Sequence, residues 1–191
     1  MITHTIVLNK FRSMIPSIAN FWLVAALTCA GEEAPKPPSE LVQLKPWTGR
    51  WAYEGEAEPN PFGPTGKFSG AETIRKSLNG FVIENKWKDT SASGYVSQGI
   101  VLTRFDSTQG KFIEHSFDAE GNATVSPLEI QGETLQSTFS KPGTNGTMYL
   151  LRATRSLGAD KRSYTAKVEY SADQGSSWTL WFAMSGKKAS R

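Results

Sequence analysis

The sequence predicts an all-β chain: an antiparallel up-and-down β-barrel of about ten strands behind a short N-terminal helix. Three observations carry this. From Gly49 onward apolar and polar residues alternate with a period of two, the signature of half-buried strands. Breaks rich in Gly and Asn punctuate that pattern at short intervals, as antiparallel hairpins require. No helical pattern of ten or more residues intervenes, so parallel βαβ units are excluded. An open sheet of this size would leave two exposed edges, which closure into a barrel removes. A β-sandwich is the alternative drawn from the same strand signals.

Before the strands the chain reads as an address. Lys10 and Arg12 form a basic flank, residues 13–31 carry no charge, and residues 21–30 are the densest apolar run, ending in small residues. A run this short fits a secretory signal over residues 1–30 better than a membrane span. Ala26-Leu27-Thr28-Cys29 loosely resembles a bacterial lipoprotein box, which makes Cys29 a candidate lipidation site and lipid on it a candidate tether. The expected location is therefore outside the cytoplasm, periplasmic or envelope-bound. Residues 31–38 hold three prolines in four positions and read as a linker. The barrel domain then spans residues 39–191. Ser39 is the expected N-cap of a short helix over residues 40–44, stopped before Pro46. The strands follow at about 49–57, 67–78, 81–90, 95–105, 111–118, 123–130, 133–140, 147–157, 163–171 and 177–187.

Composition excludes several function classes. The 191 residues hold one Cys and two His, which rules out an intrachain disulfide framework, a Cys-based zinc site and a three-His metal centre. No metal site is expected. No block of five basic residues occurs, so a nucleic-acid partner is not expected. No Gly-x-Ser-x-Gly, P-loop, His-Glu-x-x-His or Gly-x-Gly-x-x-Gly motif occurs.

Alternation assigns several faces. Tyr164, Ala166, Val168 and Tyr170 share one face; so do Trp178, Leu180, Phe182 and Met184, and Phe81, Ile83, Asn85 and Trp87. These apolar faces should point inward. Residues 95–105 and 147–157 are apolar on both faces and leave their orientation open. Polar residues on inward faces mark a site, because a buried carboxylate or imidazole needs a partner. Glu72 and Asn85 qualify, His115 is a further candidate, and Arg152 is the expected counter-charge of Glu72. The candidate lumen residues are Tyr53, Glu72, Ile83, Asn85, Trp87, His115, Arg152 and Trp178.

Trp47-Thr48-Gly49-Arg50-Trp51 resembles the opening of lipocalin-like barrels, the calycins. The resemblance implies that Gly49 turns the chain beneath the barrel and that Trp51 plugs the closed end under a basic residue, Lys187 or Lys188. Residues 41–187 resemble a calycin-like bacterial family, domain of unknown function 1579, through Leu44 to Trp51, Gly70-Ala71-Glu72-Thr73-Ile74-Arg75, Leu78-Asn79-Gly80-Phe81 and Phe117-Asp118-Ala119-Glu120-Gly121. That family brings no catalytic residues. A looser likeness to nitrobindin, a haem-binding barrel, motivates a haem alternative with His115 as axial ligand.

The leading expectation is an exported barrel, not an enzyme, that holds a small, mainly apolar or amphipathic molecule in its lumen and has no cofactor. The alternatives are a haem protein or small-molecule enzyme using His115 and Glu72, and a ligand-free envelope or interaction protein.

Overall fold

A computed structural model describes residues 34–189. The expected signal at 1–30, Cys29, and residues 31–33 of the expected linker lie outside the described residues. Residues 34–38 have no regular structure. A 3-10 helix follows at Ser39–Trp47, then ten strands: β1 Gly49–Ala57, β2 Gly66–Ser77, β3 Val82–Ser91, β4 Val96–Asp106, β5 Lys111–Asp118, β6 Ala123–Gln131, β7 Thr134–Pro142, β8 Met148–Leu157, β9 Ser163–Ser171 and β10 Thr179–Lys188. Each strand pairs antiparallel with its sequence neighbour, and β1 closes on β10. The fold is thus an all-β, closed up-and-down barrel, not a sandwich.

The helix differs in type and length from expectation. Pro38 occupies the N-cap position without a side-chain cap, and Pro46 lies inside the last turn. The Ser39 hydroxyl bonds to Glu40 instead, at 3.3 Å. A 3-10 turn has fewer obligatory donors to satisfy than a long α-helix, and that tolerance lets proline sit within it. Leu41, Leu44 and Trp47 of this helix are buried, so it acts as a plug over one end of the barrel.

Trp51 is the centre of that closed end. It is 1% exposed, and its indole N–H donates to the Trp47 carbonyl at 2.8 Å. Lys188 lies over its ring at 4.7 Å and donates to the Pro46 carbonyl at 2.9 Å. Gly49 begins β1 with φ 141°, and a Cβ there would stand 2.9 Å from Lys188 Cε. Glycine thereby lets the chain turn under the plug without displacing its cation. Ile74, Ile83, Phe112, Leu128 and Leu157 fill the rest of this end.

One strand carries an irregularity with consequences for the lumen. Against β9, Leu180 pairs with Glu169 and Phe182 with Val168, which leaves Trp181 as an inserted residue. Such a bulge re-aims side chains locally. Leu180 is therefore turned out to solvent, and the consecutive Trp181 and Phe182 both line the interior. The expectation that Trp178, Leu180, Phe182 and Met184 share one inward face fails here for that reason.

Candidate functional site

Above the closed end the barrel is hollow. A cavity of about 550 Å³ opens between the strands, within the range of about 300–1,000 Å³ usual for small-molecule sites. Its apolar wall includes Tyr53, Phe68, Trp87, Phe139, Phe182 and Met184. Several of these rings lie flat against the wall because the neighbouring strand offers a glycine. The Tyr53 ring covers Gly70 and the Trp87 ring covers Gly99, so closely that a Cβ on either glycine would fall within 3.0 Å of the ring. Rings laid along the wall leave the axis of the barrel empty. A larger open concavity of about 1050 Å³, with Glu54, Ser69, Thr154 and Thr165 among its lining residues, opens beside β1, β2, β8, β9 and β10. It lacks the buried ion pair described next, and the lumen is the better-formed site.

Between plug and cavity lies a polar layer. Glu72, Thr103, Ser126 and Ser137 are buried, and Arg155 completes it. Arg155 grips Glu72 through both terminal nitrogens, one of them at 3.2 Å. The Glu72 and Arg155 side chains are 3% and 20% exposed. Asn85 donates at 2.8 Å to Glu72 Oε2, the oxygen that also accepts from Arg155 Nη1. Burial alone would push the Glu72 carboxyl up, but the Arg155 charge and the hydrogen bonds from Arg155 and Asn85 outweigh it and hold it below 4.5. The Arg155 guanidinium stacks on Tyr164 at 4.4 Å and faces Trp47 at 5.2 Å. Asn85 Oδ1, Arg155 Nε and the Tyr164 hydroxyl have no hydrogen-bond partner. The Tyr164 hydroxyl is close enough to favour the Glu72 carboxylate, but not in regular bonding geometry. Glu114, set between Thr103 and Ser126 in the strand register, is the opposite case. Burial raises its pKa, and the Ser137 and Thr103 hydroxyls and the more distant Arg155 offset only part of that.

The rim is polar, and one loop bends over it. Asn60 accepts from the Phe62 and Gly63 N–H groups at 2.8 and 3.1 Å, which shapes the β1–β2 loop. Phe62 then packs on Trp181 at 4.4 Å and on Tyr149 and Tyr170 at 5.4 and 5.6 Å. Thr144 N–H ties the loop to the β7–β8 turn through the Pro61 carbonyl at 2.8 Å.

The sequence candidates divide accordingly. Tyr53, Glu72, Asn85 and Trp87 line the cavity together. Ile83 is buried in the closed-end core, not the cavity wall. Arg152 is not the partner of Glu72. It binds Glu169 on the outer wall at 2.9 Å and stacks on Trp178 at 4.2 Å, so Arg152 and Trp178 form an external pair. The true partner, Arg155, shares a strand face with Leu151, Ala153 and Leu157. His115 also points outward, because its neighbours Ser116 and Asp118 alternate with it and line the cavity. The outer wall around it is itself apolar, with Phe117 45% and Val125 66% exposed, which is why alternation of hydrophobicity misassigned the face. His115 and Glu72 are thus on opposite sides of the wall and share no site. Nor can His115 serve as an axial haem ligand in the lumen, and it is the only described histidine. The haem alternative with His115 as its ligand therefore does not hold. Among the described residues no cluster of His, Cys, Asp and Glu is placed to hold a metal ion, and no helix is long and apolar enough to cross a membrane.

Fold and site together define a class: a closed ten-stranded antiparallel barrel, plugged at one end and hollow at the other. The crystal structure of Rv2717c from M. tuberculosis is similar over 81% of this chain and 100% of that one, with a TM-score of 0.59 and 12% identity. A de novo designed fluorescence-activating β-barrel aligns over 76% of this chain and 95% of its own, at a TM-score of 0.38 and 10% identity. The first of these likenesses establishes fold alone, and the second carries no argument. No family model and no curated protein matches the chain.

Proposed function

We propose that the protein binds a small, mainly apolar or amphipathic molecule in the open half of its barrel, without catalysis. One observation carries the reading: a cavity of about 550 Å³ walled by aromatic rings and floored by a charged pair. An apolar body gains from leaving water against such walls, while the polar floor and rim fix its orientation. The calycin-like resemblance of the Gly49-x-Trp51 opening supports the same reading. Export through residues 1–30, with or without a lipid on Cys29, belongs to the proposal on the strength of the sequence pattern alone.

Native mass spectrometry of protein purified from its own host tests it. The expected spectrum shows the chain carrying one small molecule, released by mild organic extraction. Protein that carries nothing, and that takes up no apolar probe when one is offered, contradicts the proposal and leaves a ligand-free barrel.

A further inference from the structure

The charges that face the lumen do not balance. The basic side chains that face it are Arg155 and Lys141. Each is committed to a carboxylate, Arg155 to Glu72 and Lys141 to Asp118 at 3.5 Å, while Lys167 alternates with the inward Ala166 and Val168 and pairs with Glu169 on the outer wall at 3.1 Å. Asp89 also lines the cavity, and among the described residues no Lys or Arg pairs with it. Its sole hydrogen bond comes from the Tyr53 hydroxyl at 3.5 Å, the long limit of such a bond. Burial raises the Asp89 carboxyl, and the Tyr53 bond offsets this only in part. Asp89 lies two residues beyond Trp87 on β3 and directly opposite Gly70, the glycine that the Tyr53 ring covers. An acid without a counter-charge therefore stands between two aromatic rings, inside the cavity and not on an open surface.

We propose that the lumen selects cationic amphiphiles, with an ammonium head beside Asp89 against Tyr53 and Trp87 and an apolar body among Phe68, Phe139 and Phe182. This deepens the lumen-binding reading and rests on it. A cation supplies the missing charge and gains the attraction of the ring faces. A carboxylate-headed molecule finds no uncommitted base. To reach Arg155 it would have to displace Glu72, which would then be buried and unpaired. The rim acid Glu120, which no Lys or Arg among the described residues pairs with, adds a field that draws cations to the mouth.

The test compares three probes of equal chain length: dodecyltrimethylammonium, dodecanol and dodecanoate, each titrated below its micelle concentration with tryptophan fluorescence as readout. The cation should bind about tenfold tighter than the alcohol, the scale of one partly desolvated charge contact, and the carboxylate weakest. Asp89→Asn should cut the cation's advantage over the alcohol to the smaller share the ring faces supply, and leave the alcohol unchanged. Equal binding of alcohol and cation, or tighter binding of dodecanoate, overturns the inference while the lumen reading stands. A cation preference that is undiminished in Asp89→Asn overturns the placement of the head. Absence of binding by all three overturns both. The comparison on the unaltered chain decides even where the variant fails to fold.

Discussion

The two halves of this barrel are built from the same strands with the same alternation, and they behave as different materials. Below the polar layer, Trp47, Trp51, Ile74 and Phe112 point at one another and fill the space, with a helix laid across the end. Above it, Tyr53 and Trp87 lie along the wall over glycines of the next strand, and the centre stays empty. Both halves are rich in aromatics. A glycine neighbour alone does not separate them, since Tyr164 in the closed half also lies over one, Gly186; the closed half is filled because the helix adds Leu41, Leu44 and Trp47 to it. The Glu72–Arg155 pair marks the boundary. It stops the core from extending upward, because a buried ion pair needs polar company and cannot be covered by hydrocarbon alone.

If that contrast holds, substitutions in the closed half should cost stability and those in the open half should cost binding. Trp51→Ala should have the largest effect on folding, about 3–5 kcal/mol in denaturant melts. A loss under about 1 kcal/mol would show that the plug is not packed. Breaking the boundary pair comes next. Glu72→Gln or Arg155→Met alone should cost up to about 3–5 kcal/mol, since each strands a buried partner, and the double variant should recover part of the loss. Additivity within about 0.3–0.5 kcal/mol would mean that the two groups are not coupled.

The pH dependence sharpens the boundary further. Glu72 has a lowered carboxyl, so its contribution is fully present above its ordinary value of 4.5 and is lost as pH falls through the folded-state value. Glu114 is raised, so it opposes folding above its folded-state value and the opposition fades as pH falls toward 4.5. Glu114→Gln should therefore stabilise the protein at neutral pH, with the gain shrinking in acid. A gain that persists unchanged below pH 4.5 would separate it from the titration of this carboxyl. The smallest effect belongs to the outer wall: His115→Ala should change stability by no more than about 0.5 kcal/mol and leave binding in the lumen untouched. Loss of binding in that variant would return His115 to the site.

The sequence carried the strand pattern almost completely, each observed boundary falling close to its expected place, because turn chemistry and alternation are local. The faces were legible only where one side of a strand is polar. On β9 the contrast between Tyr164, Ala166 and Val168 and their charged neighbours assigned the inside correctly. On β5 the outer wall carries Ile113 and Phe117 while the inner face carries Glu114 of the polar layer and the lumen-lining Ser116 and Asp118, so hydrophobicity pointed the wrong way. On β8 both faces are apolar, and Arg152 and Arg155 differ only by the parity of the strand. No local signal distinguishes them; the register through β7 and β9 does. Asp89 was within reach, being two residues past Trp87 on a face already assigned inward. The bulge at Trp181 was not, because a single inserted residue leaves no trace in composition.

The accessibility of the open half can be measured directly. Ala153 lines it, and Ala153→Trp should set an indole across it and obstruct it. The measurement is titration with the neutral apolar dye N-phenylnaphthylamine, followed by dye fluorescence, on the unaltered chain and on this variant. Saturable one-site binding to the unaltered chain is expected, with loss of that binding in an Ala153→Trp protein that still melts cooperatively. Equal dye binding by both proteins, or by neither, would contradict this expectation.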